Sequence, residues 1–207
     1  MNPATTRSRW VWATAALAAG FWFASFYLSF SNFWIKIATS AATLAAVSLF
    51  IQPPRERPRI QIRDIVLGVV SAVALWFIFW TGKAISTEIF PFAGHQIGAI
   101  YGKGEGFSRW AVFFLLLLVT GPSEEIYWRG FLQKNLMQRY GNRQGWMLAT
   151  AIYAGVHIWS LNFMLIGAAA VAGAFWGLMY WRWGRLAPVI VSHALWSAVV
   201  FAVIPIP

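Results

Sequence analysis

Two acids and a base stand together in Thr120-Gly-Pro-Ser-Glu-Glu-Ile-Tyr-Trp-Arg-Gly-Phe131, directly after the apolar run 110–119. Two of the three histidines, His157 and His193, also interrupt apolar segments. A charge at the centre of a bilayer costs about 2.5–3.5 kcal/mol on insertion scales, so such residues face a bundle interior and act there. A glutamate held away from bulk water suits a general base. A neighbouring imidazole can hold a water against it, and a further donor can stabilise the oxyanion formed when that water attacks a carbonyl. Glu124, His157 and His193 also make a plausible zinc set with one coordination position left for water. Either arrangement points to amide hydrolysis inside the membrane; no cofactor is expected, with zinc left open.

Other hydrolytic chemistries lack their parts. There is no cysteine, which removes disulfides, thiolate ligands and cysteine nucleophiles. No His-Glu-x-x-His occurs, Asp64 is the only aspartate, and no Gly-x-Ser-x-Gly is present. Glu125 and Arg129 are spaced as a helix-surface ion pair and have that simpler reading. It does not extend to Glu124, which is turned about 100° from its neighbour. His95 lies in a glycine-containing connection and needs no functional role.

The elements that must hold these residues are membrane helices. Of 207 residues, 59% are hydrophobic and 11% charged, against about 45–50% and about 25% in soluble domains. The net charge of +10 sits in short clusters between apolar runs, which fits cytoplasmic loops facing anionic lipid and leaves no basic face for nucleic acid. Seven segments approach the roughly 20 apolar residues a spanning helix needs: 10–30, 33–51, 64–81, 109–132, 145–160, 163–181 and 186–204. The first reads as an uncleaved helix rather than a signal peptide. With the N-terminus cytoplasmic, the basic connections around 52–63, after 132 and at 182–185 all face inward, and 82–108 becomes the long outer loop. The expected build is one all-α polytopic bundle of about seven transmembrane helices over 1–207, with a bacterial inner-membrane location. At about 1.5 Å per residue, Glu124, His157 and His193 lie about 12, 18 and 10 Å from the cytoplasmic edge, in one layer. Small residues at 167–177 predict close helix packing.

The motifs Glu124-Glu125-x-x-x-Arg129, Tyr153-x-x-x-His157 and His193-x-x-x-Ser197, each on its own helix, resemble those of the CAAX protease and bacteriocin-processing family of intramembrane endopeptidases. The segment from Phe175 to His193 is similar to that family's link between its third and fourth motifs, and the likeness covers a core of about 109–204. The resemblance implies that Glu124 activates water, that His157 helps position it, and that His193 and Ser197 stabilise the oxyanion. Glu125 and Arg129 then support the site. The implied substrate is a membrane-anchored protein or peptide: a prenylated C-terminal tail, a leader peptide or a C-terminal sorting segment. Two positions depart from the pattern. Tyr153 stands where Phe is usual, and Ser197 stands where Asn is common, offering one short donor in place of two. That second departure leaves room for a non-catalytic relative, a bacteriocin-immunity or scaffold membrane protein. A third reading is a small proton-coupled transporter relaying through Glu124 and the histidines, although no inverted repeat is visible.

Overall fold

A computed structural model describes residues 3–54, 60–104 and 106–206; the central part of the basic connection expected around 52–63 lies outside the described residues. Among the described residues eight helices account for most of the length: α1 (Pro3–Phe26), α2 (Phe33–Ile51), α3 (Ile62–Ile89), α4 (Ala93–Tyr101), α5 (Arg109–Tyr140), α6 (Asn142–Val156), α7 (Phe163–Trp183) and α8 (Ala187–Ala202). No strand occurs among the described residues. Each of the seven apolar segments falls largely on one helix. Helices α2, α3, α5 and α7 are long and apolar enough to cross a bilayer, and α8 is a shorter apolar helix. Along α3, Val66, Val69, Val70, Val73, Phe77 and Ile78 are exposed, as befits a helix facing hydrocarbon. The chain is an all-α integral membrane bundle.

The expected outer loop at 82–108 is mostly helical instead. Helix α3 runs past Gly82 to Ile89, and α4 follows after a short turn. The polar residues there do not break the helix, because the Ser86 and Thr87 hydroxyls bond back to the Lys83 carbonyl one turn earlier. The Gln96 side chain then ties α4 to the start of α7, its Oε1 accepting from Met164 N–H at 3.0 Å. Asn162 caps that start, its Oδ1 accepting from Leu165 N–H at 2.9 Å.

Two apolar clusters divide the bundle. One gathers Trp22, Leu44, Tyr127, Trp128 and Leu132 from α1, α2 and α5, together with α6 residues; the other gathers Leu75, Trp176, Val189 and Trp196 from α3, α7 and α8. Small residues set the crossings. A Cβ on Gly68 would lie 2.5 Å from Val191 Cβ, so α3 and α8 touch closely. Asp64, capping α3 through Gln61 N–H at 2.9 Å, is gripped by the Arg185 guanidinium through both carboxylate oxygens, fixing α3 to the α7–α8 turn.

Helix α5 is not uniformly α-helical. Residues 116–120 and 128–133 form π turns: Gly121 N–H donates to Leu116 C=O, and Lys134 N–H to Arg129 C=O, each five residues back. Pro122 follows directly after the first π turn. It has no N–H to donate and its ring crowds the preceding turn, which a widened turn relieves. Between the π turns lies the α-helical stretch Gly121–Tyr127 that carries both glutamates.

At that crossing a Cβ on Gly121 would lie 2.6 Å from Ala194 Cα, a backbone atom that cannot swing aside. Gly121→Val is therefore expected to cost at least about 1–3 kcal/mol through overpacking, read as a lower thermal midpoint in detergent. Gly167→Ala, whose Cβ meets nothing within 4 Å, is expected to leave that midpoint unlowered.

Candidate active site

Between the two apolar clusters lies a cavity of about 440 Å³, open to the surface, whose walls include Glu124, His157, His193 and Ser197. Three helices thus deliver their polar residues to one space. Thr120 lines it too, from the turn just before the glutamates.

Neighbouring glutamates on α5 face different partners, as a 100° turn requires. Glu124, 7% exposed, accepts a hydrogen bond at Oε2 from Tyr153 Oη of α6, at 3.1 Å. Glu125 is fully buried and points to α8, where its Oε1 accepts from His193 Nδ1 at 2.6 Å. The same oxygen accepts from Arg129 Nη1 at 2.7 Å. A carboxylate can only accept, so the partner fixes the proton of His193 on Nδ1. Glu125 and Arg129 are therefore not a surface pair; Arg129 is 2% exposed.

The small-residue stretch of α7 explains how Arg129 is accommodated. Its Nη2 donates to the Gly173 carbonyl at 3.2 Å, and four residues along Gln133 Nε2 donates to the Gly177 carbonyl at 2.7 Å. Bare backbone at these glycines admits long polar side chains from α5 as well as close packing. Gly173 lies against Tyr153 and Gly177 against Trp146, as packing glycines, whereas Gly167 meets no neighbour. The guanidinium of Arg129 also lies over the Tyr153 ring at 4.8 Å and the Trp176 ring at 5.6 Å. Trp176 in turn stacks on His193, with ring centroids 3.8 Å apart and planes 15° from parallel.

His157 sits where α6 tightens into a 3₁₀ turn over His157–Ser160. Its Nδ1 lies 2.7 Å from the Tyr153 carbonyl, an acceptor, so Nδ1 carries the proton. Its Nε2 accepts from Trp22 Nε1 of α1 at 3.2 Å. Both ring nitrogens are thus engaged, and the side chain that bonds Glu124 from α6 is Tyr153, one turn earlier. Sequence reasoning missed Trp22: one tryptophan among 14 carries no motif. It also gave Trp176 only a place in a segment, although a tryptophan facing a histidine from the next helix was there to be weighed.

Among the described residues, no three His, Cys, Asp or Glu side chains come together as a metal-binding group. His157 would have to leave Trp22 to offer a lone pair, and His193 offers Nε2 alone because Nδ1 is held by Glu125. This arrangement does not fit the zinc set of Glu124, His157 and His193. Ser197, 5% exposed, completes the cavity wall one turn after His193. His95 is exposed on α4, away from these contacts.

Outside the long spans, Lys103 lies over the Phe33 ring at 5.0 Å and the Phe26 ring at 5.7 Å, and burial holds its ammonium below the usual lysine range. The cavity therefore has acid and imidazole in one part of its wall and two cations, Lys83 and Lys103, in another.

Compared with models of known families, residues 106–199 match the type II CAAX prenyl endopeptidase Rce1-like family, a stretch slightly under half of the 207 residues. That stretch contains all seven residues named in the motifs above, and the match points to a protease. No curated protein and no solved structure matches the chain.

Arg129→Met leaves Glu125 buried with one cationic partner removed, a change expected to cost about 3–5 kcal/mol. The thermal midpoint should fall accordingly. Arg129→Lys is expected to recover only part of the loss, because an ammonium cannot span Glu125 and the Gly173 carbonyl as the planar fork does.

Proposed function

Because residues 106–199 match the Rce1-like CAAX prenyl endopeptidase family, we propose that this chain is an intramembrane endopeptidase that cleaves a membrane-anchored protein or peptide by glutamate-activated water. The observation that carries the reading is the division of labour between adjacent acids. Glu125 is committed to Arg129 and His193, while Glu124 lines the cavity with one oxygen steadied by Tyr153.

Glu124 takes a proton from a water as that water's oxygen bonds to the scissile carbonyl carbon. The carbonyl oxygen becomes an oxyanion, which His193 and Ser197 stabilise from the adjacent wall. Glu125 holds His193 by Nδ1, so Nε2 is the atom turned to substrate. The negative charge of Glu125 balances an imidazolium when Nε2 is protonated. Collapse of the intermediate breaks the C–N bond, and the proton taken by Glu124 passes to the leaving amine, giving a carboxylic acid and an amine and returning Glu124 to its carboxylate. His157, neutral and held between the Tyr153 carbonyl and Trp22, keeps Tyr153 and the α6 turn in register beside Glu124. Through Tyr153 it helps position the water beside Glu124. Apolar walls receive the anchoring group of the substrate, and in this reading the N-terminus faces the cytoplasm, which the basic connections favour.

Purified in detergent, Glu124→Gln is expected to abolish cleavage of a membrane-anchored peptide while keeping the wild-type thermal midpoint; wild-type turnover would sink the assignment. Ser197→Ala is expected to lower kcat about a hundredfold, the low end for a lost oxyanion donor, with KM little changed. Exhaustive chelation is expected to leave activity intact. Loss on chelation with recovery on adding zinc would replace this mechanism with a metal-dependent one.

A further inference from the structure

The segment that follows α8 returns to the bundle rather than leaving it. Val203 and Ile204 are exposed, yet Ile206, two residues on, is 5% exposed and joins the apolar cluster of Leu75, Trp176, Trp196 and Val200. Both of its backbone groups are held by side chains. Its N–H donates to Tyr101 Oη of α4 at 3.2 Å, and its carbonyl accepts from Lys83 Nζ of α3 at 2.9 Å. Burial raises the Tyr101 phenol above its ordinary range, so it stays an uncharged hydroxyl able to accept. Lys83, Tyr101 and Ile206 line the same cavity as Glu124, His193 and Ser197.

A residue gripped at its N–H and its C=O, with its side chain in an apolar pocket, is held as a peptide ligand is held. Nothing in the grip is particular to Ile206: one hydroxyl acceptor and one ammonium donor read only backbone, and the pocket reads only an apolar side chain. We propose that the space between Tyr101 and Lys83 is a subsite for an extended peptide, occupied in the resting protein by the chain's own Ile206. Substrate peptide enters by displacing that segment. The segment is a tethered competitor whose effective concentration is set by the short connection to α8, on the order of millimolar for a flexible link of this kind. Its docking raises the apparent KM without touching the chemical step. The bearing on catalysis rests on the endopeptidase reading; the subsite itself does not.

The chain has no cysteine, so Ile206→Cys supplies a single thiol. In detergent its reaction with a water-soluble maleimide is expected to be about tenfold slower than that of Ile204→Cys, whose native side chain is 56% exposed. Adding a synthetic peptide of residues 203–207 at roughly millimolar concentration, to match the tether, is expected to bring the rate close to that of Ile204→Cys. Lys83→Met in the same background removes a charged hydrogen bond and is expected to speed labelling about tenfold. Labelling that is fast from the start, or that stays slow with peptide in excess, overturns the proposal. These measurements need no cleavage, so they are decided separately from the role of Glu124, which Glu124→Gln decides.

The catalytic arm uses Ile206→Lys, whose ammonium is repelled by Lys83. KM for a membrane-anchored peptide is expected to fall about tenfold with kcat unchanged, a split that a purely structural role for Ile206 would not produce. Unchanged or raised KM overturns the competitive role. Should Ile206→Lys not fold, Ile206→Ala carries the same KM test with the pocket side chain shortened.

Discussion

A carboxylate buried in an apolar bundle must be neutralised by partners brought from elsewhere in the chain, and Glu125 imposes that requirement on four helices at once. Its Oε1 draws Arg129 from its own helix and His193 from α8. Arg129 then needs further acceptors and finds the Gly173 carbonyl on α7 and the rings of Tyr153 on α6 and Trp176 on α7. Removing one member leaves a charge stranded away from water, which is why such clusters break at a cost larger than any single contact suggests. The network holds α5 at a fixed rotation. With Glu125 committed to α8, Glu124 is turned to α6 and the cavity, and its nearest support is one phenol. An acid with a single hydrogen-bond partner is thus placed by a neighbour that holds two.

The cavity exists because two apolar clusters pack separately. Helices α1, α2, α5 and α6 supply most of one, with Ala169 of α7 and Ala198 of α8 joining it; α3, α7 and α8 supply most of the other. Their opposed walls stay apart along the cavity, with Glu124 reaching in from α5 and the histidines from the end of α6 and from α8. The pair α3 and α8 is pinned at both extremes, by Asp64 on Arg185 at one end and by Lys83 on Ile206 at the other. The second pin is the weaker, a single ammonium on a backbone carbonyl, and it lies beside the cavity.

Much of this was legible in the sequence for a physical reason. Charge in an apolar run is costly, so Glu124, Glu125, Arg129, His157 and His193 announced themselves by position, and 3.6-residue geometry separated the roles of the two acids. Helix existence followed from apolar length alone. Three features were not legible. Trp22 meets His157 across 135 residues of sequence, and one indole among so many carries no local signal. The stretch after Gly82 read as a loop because polarity marks departure from hydrocarbon, whereas Ser86 and Thr87 satisfy themselves on the helix they sit in. The glycines of α7 read as packing residues, yet at Gly173 and Gly177 the exposed carbonyl, as much as the missing side chain, is what Arg129 and Gln133 use.

The paired π turns of α5 carry a consequence for how this helix can change over time. A π turn accommodates one residue more than the α-helical path it replaces, and each residue advances an α-helix by about 100°. Were 116–120 to rewind as ordinary α-helix with every leucine kept, everything beyond would be swung by that angle relative to α6 and α8. Glu125 would then leave His193 and Glu124 would leave Tyr153, although every side chain of the motif were still present. The spacing within the motif is therefore only half of what specifies the site; the other half is a phase, stored in a stretch of leucines that has no chemistry of its own.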